Sequence, residues 1–179
     1  MIRFVYLAGF VSFFSFSILT ANLSQAAQLG LQPNQDTRCE LPHFQQELMQ
    51  LIQAARAHSR YCGNEYFRAT SPLRWNSLLN QAAAGHSTDM ANRNYFDHQS
   101  WDGTSFSSRI SRTGYQWTTV GENISAGRRS AAEALNSWLK SPHHCVNIMA
   151  PKFSEVGVAC VKNPRSTYQY YWTMELGHQ

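Results

Sequence analysis

The chain predicts an α+β domain, and three observations carry that expectation. Apolar residues recur at helical spacing between Phe44 and Met90. Two β-rich runs, EVGVACV from Glu155 and YQYYWTMEL from Tyr168, come near the end. Helices first and strands last describe helices packed on an antiparallel sheet.

Arg3 is the only charge before Asp36, an apolar run from Phe4 to Leu19 follows it, and Ser24-Gln25-Ala26 supplies small residues for cleavage. That order is a secretory signal over residues 1–26. The run falls short of the roughly 20 residues of a spanning helix, and serines at 12, 15 and 17 weaken it. Cleavage is therefore expected rather than an anchor, with no membrane span remaining afterwards. Removing 26 of the 179 residues leaves 153, one domain with room for a core. Losing Arg3 lowers the formal charge from +4 to +3, and no basic stripe interleaves with aromatics, so nucleic acid is not an expected partner. Residues 27–42, rich in Gln, Asn, Pro and Asp, form an N-terminal arm.

Phe44, Leu48, Leu51, Ile52 and Ala55 predict a helix from Phe44 to His58, running on to a glycine stop at Gly63. Trp75, Leu78, Leu79, Ala82, Ala83, His86 and Met90 then mark one stripe of a longer helix reaching about Asn94. Gly85 inside it costs about 1 kcal/mol against alanine and signals a close approach by another backbone. Residues 95–121 are loop-rich, with a turn at Asp102-Gly103 and a short helix over Phe106–Ile110. Ser130 to Glu133 has the form of a capping box, Ala134, Leu135, Trp138 and Leu139 give that helix its buried face, and Pro142 ends it near Lys140. Asn163 to Ser166 connects the two strands as a hairpin.

Cys39, Cys62, Cys145 and Cys160 are an even set on an exported chain, which predicts two disulfides. Zinc is the rival, but the chain has no C-x-x-C pair. Of three connectivities, Cys39–Cys62 and Cys145–Cys160 close the shortest loops, each worth on the order of 3 kcal/mol.

No G-x-S-x-G elbow, H-E-x-x-H helix, P-loop or dinucleotide fingerprint is present. His86, His98, Glu122, His143 and His144 remain as candidates for chemistry. His86 lies on the apolar stripe and is expected to be a hydrogen-bonded core histidine. His98 precedes the Asp102-Gly103 turn. Glu122 sits in a turn-like Gly-Glu-Asn, and His143 and His144 follow a helix end, where a cation favours the dipole.

The stretches "PLRWNSLLNQAAAGHSTDMANRNYFDH", "DGTSFSSRI", "GYQW", "GENI", "WLKSPHHCVNIM", "FSEVGVAC" and "YYWTMELG" occur in an order that resembles the CAP superfamily. This is the group of cysteine-rich secretory proteins, antigen 5 and pathogenesis-related class 1 proteins, and the likeness is to its bacterial single-domain SCP-like branch. The resemblance spans about residues 44–178 and sets the domain at 43–179. It implies an α-β-α sandwich, a central antiparallel sheet flanked by helices, with an open cleft lined by two His and two Glu. Carried across, the first His is His98, the first Glu is Glu122 and the second His is His144. The second Glu position falls on Ser141, which removes one acid from the set. His143 looks like an addition.

Three functions follow as expectations. A binding module comes first, taking a lipid or a cell-surface component in an apolar groove near Trp101, Trp117 and Tyr115. Divalent-metal binding, Zn²⁺ through His98 and His144, is the second and can accompany the first. The third is a metal-dependent hydrolase with Glu122 as base, and a structural or partner-binding role is the remaining alternative. The chain is expected to be exported, periplasmic or extracellular, and monomeric.

Overall fold

The computed structural model describes residues 36–179, so the expected signal at 1–26 and residues 27–35 of the arm lie outside the described residues. The elements in chain order are α1 Phe44–Arg56, β1 Arg60–Cys62, β2 Glu65–Phe67, β3 Arg74–Trp75, α2 Ser77–Arg93, α3 Phe106–Arg112, β4 Thr119–Ala126, α4 Ala131–Lys140, α5 Pro142–Met149, β5 Glu155–Lys162 and β6 Tyr170–His178.

Four strands form the main sheet in the order β3-β5-β6-β4. β6 pairs antiparallel with both β5 and β4, and only the two-residue β3 runs parallel to its neighbour. The pleat then divides the side chains by parity. Val156, Val158 and Cys160 with Trp172, Met174 and Leu176 meet Leu48 and Ile52 of α1, Leu135 and Trp138 of α4 and Ile148 of α5. The alternate residues meet α2: Ala159 packs on Ala83 and Ala84, and Val161 and Tyr171 on Met90 and Ala91. Helices thus cover both faces, which is the α-β-α sandwich that the family resemblance implied.

α2 begins two residues later than its apolar stripe. The Asn76 side chain accepts from the Leu78 and Leu79 amides, capping the helix and leaving Trp75 in β3. The close approach of helix and strand is at Leu79 and Asn80, not at Gly85, and it is made possible by Gly157 on β5. A Cβ there would lie 2.0 Å from the Asn80 nitrogen, so only glycine lets helix and strand come together. α1 ends at Arg56, and the segment after it is a β1–β2 hairpin rather than a run-on to a glycine stop. Gly63, at φ 63°, sits in its turn.

The disulfides join Cys39 to Cys160 and Cys62 to Cys145, which corrects the local pairs Cys39–Cys62 and Cys145–Cys160. The arm lies along β5, with Cys39 N donating to Cys160 O at 3.0 Å and Cys160 N to Thr37 O at 2.9 Å. The β1–β2 hairpin lies on α5. These placements bring the bonded Cα atoms to 5.2 and 5.4 Å, within disulfide reach. The loops closed span 121 and 83 residues, so each bond ties distant parts of the chain.

Pro142 ends α4 and also opens α5, since its missing N–H costs nothing in a first turn. His143 and His144 follow the end of α4 as expected, but they also stand in the first turn of α5, where the dipole disfavours a cation. The far end of α5 is closed by buried Arg56, which donates to Ile148 O at 2.6 Å and Ala150 O at 3.2 Å.

Candidate functional site

Gly121-Glu122-Asn123 is not a turn but the middle of β4, an edge strand. The edge is closed by side chains of the next two helices. Trp138 Nε1 donates to Ile124 O at 2.9 Å, and Asn147 Nδ2 to Glu122 O at 3.2 Å. Such capping hides carbonyls that would otherwise invite another strand.

The Glu122 side chain leaves β4 on the α2 face and is 1% exposed. Its Oε1 lies 2.7 Å from His98 Nδ1, and its Oε2 accepts from Arg109. A carboxylate only accepts, so the bond requires the Nδ1–H form of His98 and leaves Nε2 unengaged by it. Arg109 also holds the loop that carries His98. Its other terminal nitrogen donates to His98 O and Ser100 Oγ at 3.0 Å and Thr104 O at 3.1 Å. His86 is fully buried, as its place on the stripe predicted, with Nε2 at 2.8 Å from Asp97 O and 4.0 Å from Glu122.

His144 comes from the opposite side of β4, fixed by Asn123 Nδ2 donating to its carbonyl at 3.0 Å. The His98 and His144 ring centroids are 6.5 Å apart. The three residues singled out in the sequence are therefore together, but unequally. Two imidazoles reach the surface, while Glu122 stands behind one of them. Ser141 occupies the N-cap position of α5 without a capping side-chain hydrogen bond, and His143 is exposed.

Burial favours a neutral Glu122, yet the His98 hydrogen bond and the Arg109 charge hold its carboxyl below the ordinary range. The same bond raises His98. His144 is lowered by burial and by the charges of His98 and His143. Burial takes His86 down to about 4.

A groove of about 270 Å³ adjoins His144, lined by Phe96, Tyr168, Ile124, Arg128 and Ser141 among others. The aromatics expected there lie elsewhere. Tyr115 is buried and donates to Glu155 at 2.7 Å, and Trp117 donates to Ser111. Trp101 packs on Tyr95 and is 64% exposed.

The donor set does not fit zinc. Catalytic zinc takes three protein ligands; here there are two imidazoles, both Glu122 oxygens are bonded, and Ser141 replaces the second acid. Among the described residues, no group of three or more His, Cys, Asp or Glu is disposed to hold a metal ion.

Residues 68–176 match the family model for CAP, the cysteine-rich secretory protein family. The chain belongs to this family. The CAP chain is 36% identical over 92 residues to the uncharacterized protein YkwD of Bacillus subtilis (strain 168), covering 51% of this chain and 36% of that one. It is 30% identical over 86 residues to the uncharacterized membrane protein YlbC of the same organism, covering 48% and 25%. It thus spans about a third or less of the length of these curated relatives. An extracellular protein containing an SCP domain from Bacillus anthracis superposes with a TM-score of 0.61 at 27% identity, over 75% of this chain and 40% of that one. An outer surface protein of Borrelia burgdorferi shares the fold with a TM-score of 0.56 at 16% identity, over 78% and 96%.

Two further site residues of this CAP domain were not singled out in the sequence. Arg109 looked like part of a short polar helix, and no local signal marks it. Glu175 had one: it is the only charge in the run YYWTMEL, where every second residue is buried apolar. It lies opposite Glu122 in the β4–β6 register and is fully buried.

Proposed function

We propose that this chain is an exported binding domain whose ligand site is the His98–His144 cleft with its adjoining groove. The observation that carries this reading is the division of labour in the site. The acid is sealed beneath the surface with both oxygens bonded, and only the imidazoles face the opening. A buried Glu122 with each oxygen bonded to a protein group orients His98; it does not reach outward to take a proton from water, as a hydrolytic base must. The cleft offers a His98 ring biased towards its cation beside a His144 ring biased towards neutrality. With Arg128 nearby and the Phe96 and Tyr168 rings 5.7 Å apart, the site suits a ligand with an acidic or hydrogen-bond-accepting head and an apolar body. A lipid or a cell-surface component meets that description. Export is supported by the N-terminal signal pattern and by the pairing of all four cysteines.

The test is a titration of the full mature chain with a medium-chain fatty acid, followed by NMR of the histidine rings. Saturable shifts of His98 and His144, abolished by His98→Ala/His144→Ala, are expected. Unchanged binding by the double variant would move the ligand site elsewhere. Saturable zinc binding lost in that variant would instead make the cleft a metal site.

A further inference from the structure

Behind the cleft the protein buries more acid than base. Glu122 and Glu175 are direct partners in the β4–β6 register, so both side chains leave the sheet on the face that α2 covers. Those side chains are 1% and 0% exposed. The groups facing them are few. Arg109 comes from α3, His86 from α2, and His98 from the loop on the far side of Glu122. β5 contributes only Gly157 opposite Glu175. Asp89 stands farther out, engaged by Arg93, Tyr95 and the Trp101 amide. Asp97 accepts from the Gln99 amide.

Among the described residues, Arg109 is the one fixed cation of this cluster, and it is already committed. It bonds Glu122 and the His98 loop, and its nearest nitrogen stays 4.0 Å from Glu175. Among the described residues, no N–H or O–H donates to either Glu175 oxygen. An ionised Glu175 would therefore be a second carboxylate beside Glu122, shut off from bulk solvent and with no donor among the described residues, and of two carboxyls sharing a site one is held protonated well above the ordinary range. A protonated Glu175 removes both difficulties, because it becomes a donor and Glu122 an available acceptor. A carboxylate has about four lone-pair sites, so Glu122 accepts from His98, Arg109 and Glu175 together.

We propose that Glu122 and Glu175 form a proton-sharing carboxyl pair, a buried proton-binding site in which Glu175 keeps its proton at neutral pH and donates it in a hydrogen bond to Glu122. The balance is one proton and one negative charge on two carboxyl groups, with Arg109 as counter-charge. Burial and the Glu122 charge both act to raise Glu175, and His86 stays neutral beside the pair. The line Glu175–Glu122–His98 connects this stored proton to the cleft through successive hydrogen bonds. The site stands whether or not the cleft takes the ligand class proposed above.

The experiment is carboxyl-carbon NMR of the full mature chain labelled at glutamate, titrated from acid to alkaline pH. One glutamate resonance, assigned by its loss in Glu175→Gln, is expected to keep its protonated position far above the ordinary carboxylate value of about 4.3. Titration of every glutamate near that value would overturn the proposal. A second readout is the thermal midpoint of Glu175→Gln, since glutamine imitates the neutral acid. Glu175 binds its proton more tightly folded than unfolded, so the native chain loses stability as pH rises from the ordinary range through the raised one. The variant does not, so its midpoint should exceed the native one near neutrality and the two should converge towards acid pH. A constant deficit of the variant at all pH values would count against the pair. If the variant fails to fold, the number of glutamates still protonated at neutral pH in the native chain decides alone: one sustains the pair, none overturns it.

Discussion

On one face of the sheet, Val156, Val158, Trp172, Met174 and Leu176 meet α1, α4 and α5 with no charged strand residue among them. On the other, the alternate positions of β4 and β6 place Glu122, Thr173 and Glu175 under α2, beside His86 and Ser87. One pleat makes both surfaces, because residues of opposite parity go to opposite sides. The difference teaches how this domain holds an acid pair in its interior. Buried apolar area on the first face offsets the desolvation of polar groups on the second. Arg109 of α3 and His98 hold Glu122, Ser87 of α2 donates to Thr173, and Glu175 answers its burial by keeping its proton.

The comparison is broken most severely from the apolar side. Trp172→Ala should cost about 3–5 kcal/mol in denaturant unfolding, because the fully buried indole leaves a cavity against Phe44 and frees the Arg128 carbonyl. Its loss should be the same near neutral and near acid pH. Arg109→Met attacks the polar side and should cost about 3 kcal/mol by leaving Glu122 buried without its cation. Adding Glu122→Gln should recover part of that loss, whereas Glu122→Gln added to Trp172→Ala should simply sum with it; a double-mutant cycle measures both. Gly157→Ala presses a methyl into the α2 backbone and should cost about 1–3 kcal/mol, with chemical-shift changes confined to α2 and β5.

The smallest effect is the most specific. His98 is raised by its bond to Glu122, so that bond contributes stability below the ordinary histidine value of about 6.5. The contribution is lost as pH rises through the raised folded value. Thermal midpoints of His98→Gln should lack that decline between neutral and mildly alkaline pH. An identical slope in the variant would show that the bond does not bias the proton.

Much of this was legible in the chain. Helical spacing located α1, α2 and α4, Ser130 caps α4 by accepting from the Glu133 amide, and the two terminal β-rich runs are the antiparallel β5–β6 pair. His86 was placed correctly by its position on an apolar stripe. The GENI stretch was misplaced, since Gly-Glu-Asn reads locally as a turn and becomes a strand only through pairing with β6. His143 and His144 do follow the end of α4, but the start of α5 at Pro142 is not legible locally, because a proline that stops one helix can start the next. Arg109 has no local mark, since its hydrogen bonds exist only once the 98–104 loop, α3 and β4 are assembled.

By itself, the sequence determined the kind of elements, their order and the family, because periodicity, caps and motif order are properties of neighbouring residues. The tertiary structure alone decided which cysteines bond, which residue opposes Glu122 and where a proton is held. Disulfide pairing depends on Cα atoms coming within reach across 121 and 83 residues, and a carboxyl's charge depends on the solvent and cations left to it after packing. Those are distances through space, and they come into being only when the chain folds.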